Sequence, residues 1–149
     1  MEMTPDTDLV LELPSDVQAI ERAVEYVLRR CSRTLEDDHR LHLHFRVGLT
    51  EALSNAMLYG NSEDPDKRVR VEVCLEETCV TVRVHDEGAG FDPSRLPDPT
   101  APSNLEKPGG RGIFLMKQLL DEVRFNERGN CVTLVLHRGQ RELGGGAEA

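Results

Sequence analysis

The chain has 149 residues, about one domain, with 38% hydrophobic and 30% charged residues, a composition typical of a globular protein. Its formal net charge of −9 argues against nucleic-acid binding, because contacts to phosphate need a basic surface. No apolar run approaches the roughly 18 residues of a membrane span, and the polar amino terminus lacks a secretory signal, so we expect a cytoplasmic protein.

A strand and a helix open the predicted fold. The apolar run Leu9–Leu13 is typical of a strand, which Pro14 closes. The segment Ser15–Gln18 then has a capping-box pattern, in which the serine and glutamine side chains bond the free N–H groups of a starting helix. Apolar residues recur at helical spacing over Val17–Cys31, which predicts an amphipathic helix of about four turns.

A longer helix and a β-hairpin follow. The helix begins at Asp37-Asp38, carries an apolar stripe and ends near Tyr59, where Gly60-Asn61 is a common stop signal. The runs Val69–Leu75 and Val80–Val84 both alternate apolar and polar residues, on either side of a short polar turn. This alternation predicts an antiparallel hairpin with one buried face.

The last part of the chain begins with a loop rich in glycine and proline, Asp86–Pro108. Loops of this length inside a compact domain are usually functional or disordered. A short apolar helix, Ile113–Leu120, is entered from Gly109–Gly112. The segments Glu122–Glu127 and Cys131–His137 predict a final hairpin.

The order of these elements predicts an α+β fold, a two-layer sandwich of helices on one face of a mixed, mostly antiparallel sheet. The other face would be solvated or would bind a partner. We expect one domain over residues 1–140 and a flexible glycine-rich tail over residues 141–149. The four cysteines lack zinc-site spacing and are expected to be free thiols, with a cross-strand disulfide between Cys74 and Cys79 as the alternative.

Two polar residues of the second helix carry candidate chemistry. Glu51 and Asn55 are four residues apart, so both project from one side of the helix. A carboxylate and a carboxamide on adjacent turns suit Mg²⁺, which takes oxygen ligands, and the carboxylate could alternatively accept a proton as a general base. An isolated pair with this spacing is more often an exposed polar stripe.

Two glycine-rich segments complete the set. In Asp86-Glu87-Gly88-Ala89-Gly90 the glycines let the backbone approach a ligand, and the aspartate could accept a hydrogen bond from an amine such as that of adenine. Gly109-Gly110-Arg111-Gly112 opens a helix whose N–H groups would face a phosphate, with Arg111 adding charge or pairing with an acidic neighbour. Neither segment is a P-loop, and each alone is also common in ordinary turns.

In this order, the segments resemble the ATP site of the histidine-kinase-like (GHKL) ATPases, which have the Bergerat-type ATP-binding fold. That site has an N box on a helix, a D-x-G-x-G box, a mobile lid and a second glycine box. The segments that resemble these are Glu51–Asn61, Asp86–Gly90, Phe91–Pro108 and Gly109–Met116. Within the superfamily, the chain is most similar to the stand-alone anti-sigma-factor serine/threonine kinases, whose helix reads E-A-x-x-N-A-x-x-H-G.

The resemblance implies roles for the helix and for the first glycine box. Asn55 would ligate Mg²⁺, and Glu51 would be the general base acting on a protein serine or threonine. Asp86 would read the adenine base, while Gly88 and Gly90 would shape the purine pocket.

The resemblance also implies roles for the second glycine box and the last hairpin. Gly110 and Gly112 would offer N–H groups to the phosphates, and Arg111 would add charge there. Thr133 would line the adenine pocket. One departure from the pattern is Tyr59, which stands where these kinases have histidine.

The resemblance implies an ATP- and Mg²⁺-dependent serine/threonine kinase that phosphorylates an anti-anti-sigma (STAS-type) protein. It also implies a sigma factor as a further partner and a homodimer as the expected assembly. The alternative is a nucleotide-gated binding module that uses ATP to control partner affinity without catalysis. The detached catalytic domain of a histidine kinase ranks last, because no phosphoacceptor helix pair precedes the ATP boxes.

Overall fold

The computed structural model describes residues 8–31, 39–88 and 110–137. These residues form five strands and three α-helices, numbered here in chain order. They are β1 (Leu9–Pro14), α1 (Ile20–Arg30), α2 (His39–Asn55), β2 (Arg68–Leu75), β3 (Cys79–His85), α3 (Gly110–Leu119), β4 (Glu122–Phe125) and β5 (Cys131–His137). A 3-10 turn, Val17–Ala19, precedes α1, and a π-helical turn, Ala56–Gly60, extends α2. Across these ranges, no helix is both long and apolar enough to cross a membrane.

The strands form one sheet in the order β1-β2-β3-β5-β4. Both predicted hairpins are confirmed, since β2 pairs with β3 and β4 pairs with β5. Strand β1 pairs with β2, and β3 pairs with β5. All four pairings are antiparallel, so the described sheet contains none of the parallel pairing that a mixed sheet would have.

One face of the sheet carries the core, because apolar residues alternate along each strand. Val71, Val82 and Leu134 are completely buried on this face. The helices cover it, with α2 packed against both α1 and α3, and Phe45 and Leu49 of α2 are likewise completely buried. The predicted two-layer α+β sandwich is confirmed.

The second face of the sheet is polar and holds a buried carboxylate. Glu72 is 3% exposed. Its Oε2 lies 3.0 Å from Arg70 Nε, an ion pair without a hydrogen bond, and its Oε1 lies 3.4 Å from His85 Nε2. A buried carboxylate costs free energy unless it is paired, so these neighbours offset the cost. Burial also raises the pKa of Cys131, beside His85, to about 11, so this thiol stays protonated at neutral pH.

All four cysteines are free thiols. Cys74 lies opposite Thr81 in the hairpin, whereas Cys79 donates a hydrogen bond to Glu76 at 3.1 Å. The two cysteines are therefore not directly opposite each other, and the alternative disulfide is not formed.

The predicted capping box before α1 is wrong in its assignment. Asp16 caps the 3-10 turn that precedes α1, since its carboxylate accepts the Gln18 N–H at 3.0 Å. Ser15 is 7% exposed and points inward, where its hydroxyl accepts a hydrogen bond from Asn61 Nδ2 at 2.7 Å. A buried amide far along the chain thus engages the serine hydroxyl in place of the helix N–H groups.

Candidate functional site

The end of α2 presents Glu51 and Asn55, both partly exposed, on adjacent turns. Gly112, in the first turn of α3, lies directly against them. A Cβ atom added at Gly112 would lie 2.7 Å from Glu51 Oε1 and 3.3 Å from Asn55 Nδ2. The structure therefore brings the candidate base, the candidate metal ligand and the second glycine segment together.

Two contacts hold α3 against α2. His44 Nδ1 lies 3.0 Å from the Leu119 carbonyl oxygen, and because a carbonyl only accepts, Nδ1 is the donor. One turn further along α2, a Cβ added at Gly48 would lie 2.9 Å from Leu120 Cδ1, so the two helices approach closely there. These contacts fix the end of α3, and the rigid helix then carries Gly112 to Glu51.

The turn Asp86–Gly88, at the end of β3, has all three of its N–H groups bonded within the protein. The Asp86 N–H donates to the Asn130 carbonyl at 2.9 Å, and the Gly88 N–H donates to Asp86 Oδ1 at 2.8 Å. The Glu87 N–H donates to Asn61 Oδ1 at 2.7 Å. These bonds fix the direction of the Asp86 carboxylate.

The Asp86 turn packs on the π-helical turn that follows α2. A Cβ added at Gly88 would collide with the Gly60 carbonyl oxygen, and one added at Gly60 would collide with the Asp86 carboxylate. Both positions therefore need glycine, Gly88 because it lies against backbone and Gly60 because it lies against a carboxylate. Single π-helical turns of this kind are frequent at functional sites. This one begins directly after Asn55, and its last residue, Gly60, lies against Asp86. It therefore joins the two halves of the candidate site.

Asp86 is half-buried, and burial raises the pKa of its carboxyl group above that of an exposed aspartate, with the Gly88 N–H and the charge of Lys67 opposing the rise. Its Oδ1 already accepts the Gly88 N–H. Its Oδ2 has no hydrogen-bond donor among the residues that the structure describes. A fixed carboxylate with one available oxygen can accept a hydrogen bond from a ligand amino group.

The other predicted site residues lie only partly within the described part of the chain. Gly110 and Arg111 open α3, immediately before Gly112. Gly90 and the predicted lid, residues 91–108, lie outside the described residues. Tyr59 lies on the π-helical turn and is 49% exposed, beside Gly60.

The structure does not bring Thr133 to this site. Thr133 lies opposite Arg83, three residues before Asp86. Its neighbours Val132 and Leu134 belong to the core, so Thr133 faces the polar side of the sheet, away from the helices. Strand β5 reaches Asp86 through the Asn130 carbonyl instead.

Asn61 ends the segment that resembles an N box, but no sequence pattern assigns it a role of its own. It directly follows the helix and is completely buried. Its side chain forms hydrogen bonds with Ser15, the Arg68 carbonyl and the Glu87 N–H. Two of these partners lie 46 and 26 residues away in the chain. The only sequence signal is an asparagine directly after an apolar helix, which also fits an ordinary helix end.

The donor set of the site is compatible with a magnesium nucleotide. Because Gly88 and Gly112 lack side chains, the backbone of both glycine segments comes close to Asp86 and Asn55. In residues 8–31, 39–88 and 110–137, no group of three His, Cys, Asp or Glu side chains could hold a metal by itself. Mg²⁺ bound at Asn55 would therefore need phosphate oxygens and water as its other ligands, which is its usual coordination in nucleotide sites.

We expect Gly112→Ala to weaken Mg·ATP binding by about tenfold or more, because the methyl group displaces Glu51 and Asn55 or shifts α3. In a helix, alanine is more favourable than glycine by about 1 kcal/mol of free energy, so the fold should remain intact. Isothermal titration calorimetry measures the affinity, with Lys117→Ala on the exposed side of α3 as the control. Unchanged affinity in Gly112→Ala would contradict a phosphate position beside Gly112.

Comparison with known proteins gives one family and a set of relatives. Residues 11–136 match the family described as histidine kinase-like ATPase domain. The chain is 34% identical over 90 residues to the anti-sigma F factor of Geobacillus thermodenitrificans, covering 58% of this chain and 61% of that protein. It is 30% identical over 95 residues to the anti-sigma F factor of Bacillus subtilis, covering 60% and 64%.

A third relative is the serine-protein kinase RsbW of Oceanobacillus iheyensis, 26% identical over 89 residues, which are 56% of each chain. Each of these three matches spans less than two thirds of the relative's length. Among solved structures, the chain resembles the histidine kinase domain of a blue-light activated kinase from Erythrobacter litoralis, with a TM-score of 0.53 and 15% identity over 95% of this chain and 68% of that one. The catalytic domain of histidine kinase ThkA gives 0.50 and 14%, over 88% and 97%.

Proposed function

This chain belongs to the histidine kinase-like ATPase domain family, and from that premise we propose that it is an ATP-dependent serine/threonine protein kinase of the anti-sigma-factor type. Its substrate is a STAS-type anti-anti-sigma protein, and its second partner is a sigma factor. It acts in the cytoplasm, where transcription takes place in bacteria, as a homodimer.

The observation that carries the proposal is the meeting of Glu51, Asn55 and Gly112. A carboxylate that only lined a binding surface would not need to lie against the helix start where phosphate binds. Here Glu51 Oε1 would be 2.7 Å from a Cβ atom at Gly112, and the Asn55 amide is the next neighbour. A base, a metal ligand and phosphate-binding N–H groups are the parts that phosphoryl transfer needs.

Each of these residues has a separate task. Asp86 accepts a hydrogen bond from the adenine amino group, and the N–H groups at the start of α3 orient the phosphates. Asn55 would hold Mg²⁺, and Glu51 removes the proton from the acceptor hydroxyl. Bound Mg·ATP supplies the γ-phosphoryl group, which forms a bond to that hydroxyl oxygen as its bond to ADP breaks.

The names of the relatives support the choice of partners. Two of them are anti-sigma F factors and one is a serine-protein kinase. Because the three matches cover only part of each relative, the substrate and the sigma factor are proposed for this chain from likeness. The acidic chain is compatible with ATP because Mg²⁺ and helix N–H groups neutralise the phosphates.

The proposal is tested by incubating the chain with Mg²⁺, γ-labelled ATP and a STAS-type protein from the same genome. We expect acid-stable label on a serine or threonine of the STAS-type protein. Acid-labile label would instead indicate phosphohistidine. ATP binding measured in parallel, with no label on any STAS-type protein, would overturn the kinase and favour the nucleotide-gated binding module.

A further inference from the structure

We propose that Asn61 is a positioning residue for base recognition, whose side chain sets the place of the Asp86 turn and so makes the site select adenine nucleotides. This inference rests on the proposed function, in which Asp86 bonds the adenine amino group. It concerns a residue that lies outside the part of the site where phosphates are held.

Three hydrogen bonds form a closed ring around Asn61. Its Oδ1 accepts the Glu87 N–H at 2.7 Å, and its Nδ2 donates to the Arg68 carbonyl at 3.0 Å. Glu87 Oε1 in turn accepts the Arg68 N–H at 2.7 Å. The ring joins the end of the π-helical turn, the start of β2 and the residue that directly follows Asp86.

The buried amide has one orientation only. Asn61 is 0% exposed, so its polar atoms must find partners inside the protein. Both of its amide hydrogens are used, since Nδ2 also donates to Ser15 Oγ at 2.7 Å. A flipped amide would set its hydrogens against the Glu87 N–H and its oxygen against the Arg68 carbonyl. Oδ1 therefore holds Glu87 in a fixed place.

The expected effect is selective for the base. Glu87 is adjacent to Asp86, so releasing its N–H lets the Asp86 carboxylate move away from the base. Gly112 and Glu51 meet through the contact of α2 with α3, which is not part of the ring. A purely structural role for Asn61 would weaken binding of all nucleotides equally, whereas a positioning role lowers the preference for ATP over GTP.

The test compares Asn61→Ala with Asn61→Asp. Asn61→Ala removes the acceptor for the Glu87 N–H, whereas Asn61→Asp keeps an acceptor oxygen and loses the donors to Ser15 and Arg68. Both variants should be less stable. We expect the ratio of ATP to GTP affinity to fall by about tenfold or more in Asn61→Ala and to stay within about threefold of wild type in Asn61→Asp. Calorimetric titrations are run at a temperature where circular dichroism shows folded protein.

Ser15→Ala is the matched control, because it removes one bond to Asn61 without touching the Asp86 turn, and it should keep the ratio. If Asn61→Ala does not fold, Asn61→Ser keeps a polar group in the buried site but shortens the side chain that accepts the Glu87 N–H, and it should lower the ratio in the same direction. An unchanged ratio in folded Asn61→Ala, or in Asn61→Ser, overturns the inference, as does an equal loss in Asn61→Asp. Wild-type chain that binds neither nucleotide overturns the proposed function and this inference together.

Discussion

Replacing Glu51 with glutamine should lower phosphoryl transfer by about 10²- to 10⁴-fold, the usual contribution of a general base. The amide keeps the shape of the side chain beside Gly112 but cannot take a proton from the acceptor hydroxyl. ATP affinity should stay within about threefold of wild type, because the substitution leaves Asn55 and Asp86 in place. Single-turnover transfer to the STAS-type protein and calorimetric ATP binding measure the two effects separately.

Glu21→Gln on the exposed side of α1 makes the same chemical change far from the site and should alter neither quantity. If Glu51→Gln transfers phosphate at the wild-type rate, the base is another group. If it loses ATP binding as well as transfer, Glu51 holds the nucleotide and has no separable catalytic role. The nucleotide-gated binding module predicts that Glu51→Gln changes neither ATP affinity nor the response of partner binding to ATP.

Asp86→Asn should weaken ATP binding by about 10- to 150-fold, which corresponds to the roughly 1.5–3 kcal/mol of a hydrogen bond to a charged group. Asparagine Oδ1 can still accept the Gly88 N–H, so the turn keeps its shape. The amide hydrogens would then occupy the position of Oδ2 and face the adenine amino group, which is also a donor. The loss should therefore lie towards the upper end of this range.

The same substitution should not destabilise the free protein. Burial raises the pKa of Asp86 in the folded chain, so the fold favours the protonated form. Stability therefore falls as pH rises from the ordinary aspartate pKa through the raised pKa, and ionised Asp86 opposes folding at neutral pH. Asp86→Asn removes this charge, and its unfolding midpoint at pH 7 should equal or exceed that of wild type.

The pH dependence of ATP binding has the opposite sign to the pH dependence of stability. In the proposed function, ATP needs the ionised carboxylate. Wild-type affinity should therefore fall as pH is lowered through the raised pKa of Asp86, while that of Asp86→Asn should not show this step. Titrations of both proteins between neutral and acidic pH test the difference. Asp66→Asn, an equal charge change on an exposed side chain, is the control. A wild-type profile without the step would contradict base recognition by Asp86.

Local patterns predict most of the fold. The alternation in Val69–Leu75 and Val80–Val84 identifies both strands of the first hairpin, because a half-buried strand repeats every two residues. The same alternation assigns faces, and it already puts Thr133 with the outward residues between Val132 and Leu134. The resemblance to anti-sigma-factor kinases suggested Thr133 for the adenine pocket, but the strand period points it the other way.

Long-range polar contacts are the part that the sequence does not predict. Ser15 has the residue type and position of a helix cap, yet its hydroxyl bonds an amide 46 residues away. The approach of Gly112 to Glu51 likewise depends on the packing of α3 on α2, which is decided at Gly48 and His44 rather than within either glycine box. Such contacts depend on three-dimensional packing, which periodicity along one segment does not encode.

The π-helical turn Ala56–Gly60 sets the relative rotation of the two ends of the candidate site. Each α-helical residue advances the chain by roughly 100°, so a wider turn changes the direction of everything after it. Glu51 and Asn55 precede the turn, while Asn61 follows it. Removing a single residue from this turn would rotate one end of the site against the other while preserving every functional side chain. Changes in length, more than changes in residue type, are therefore what this helix can least accommodate.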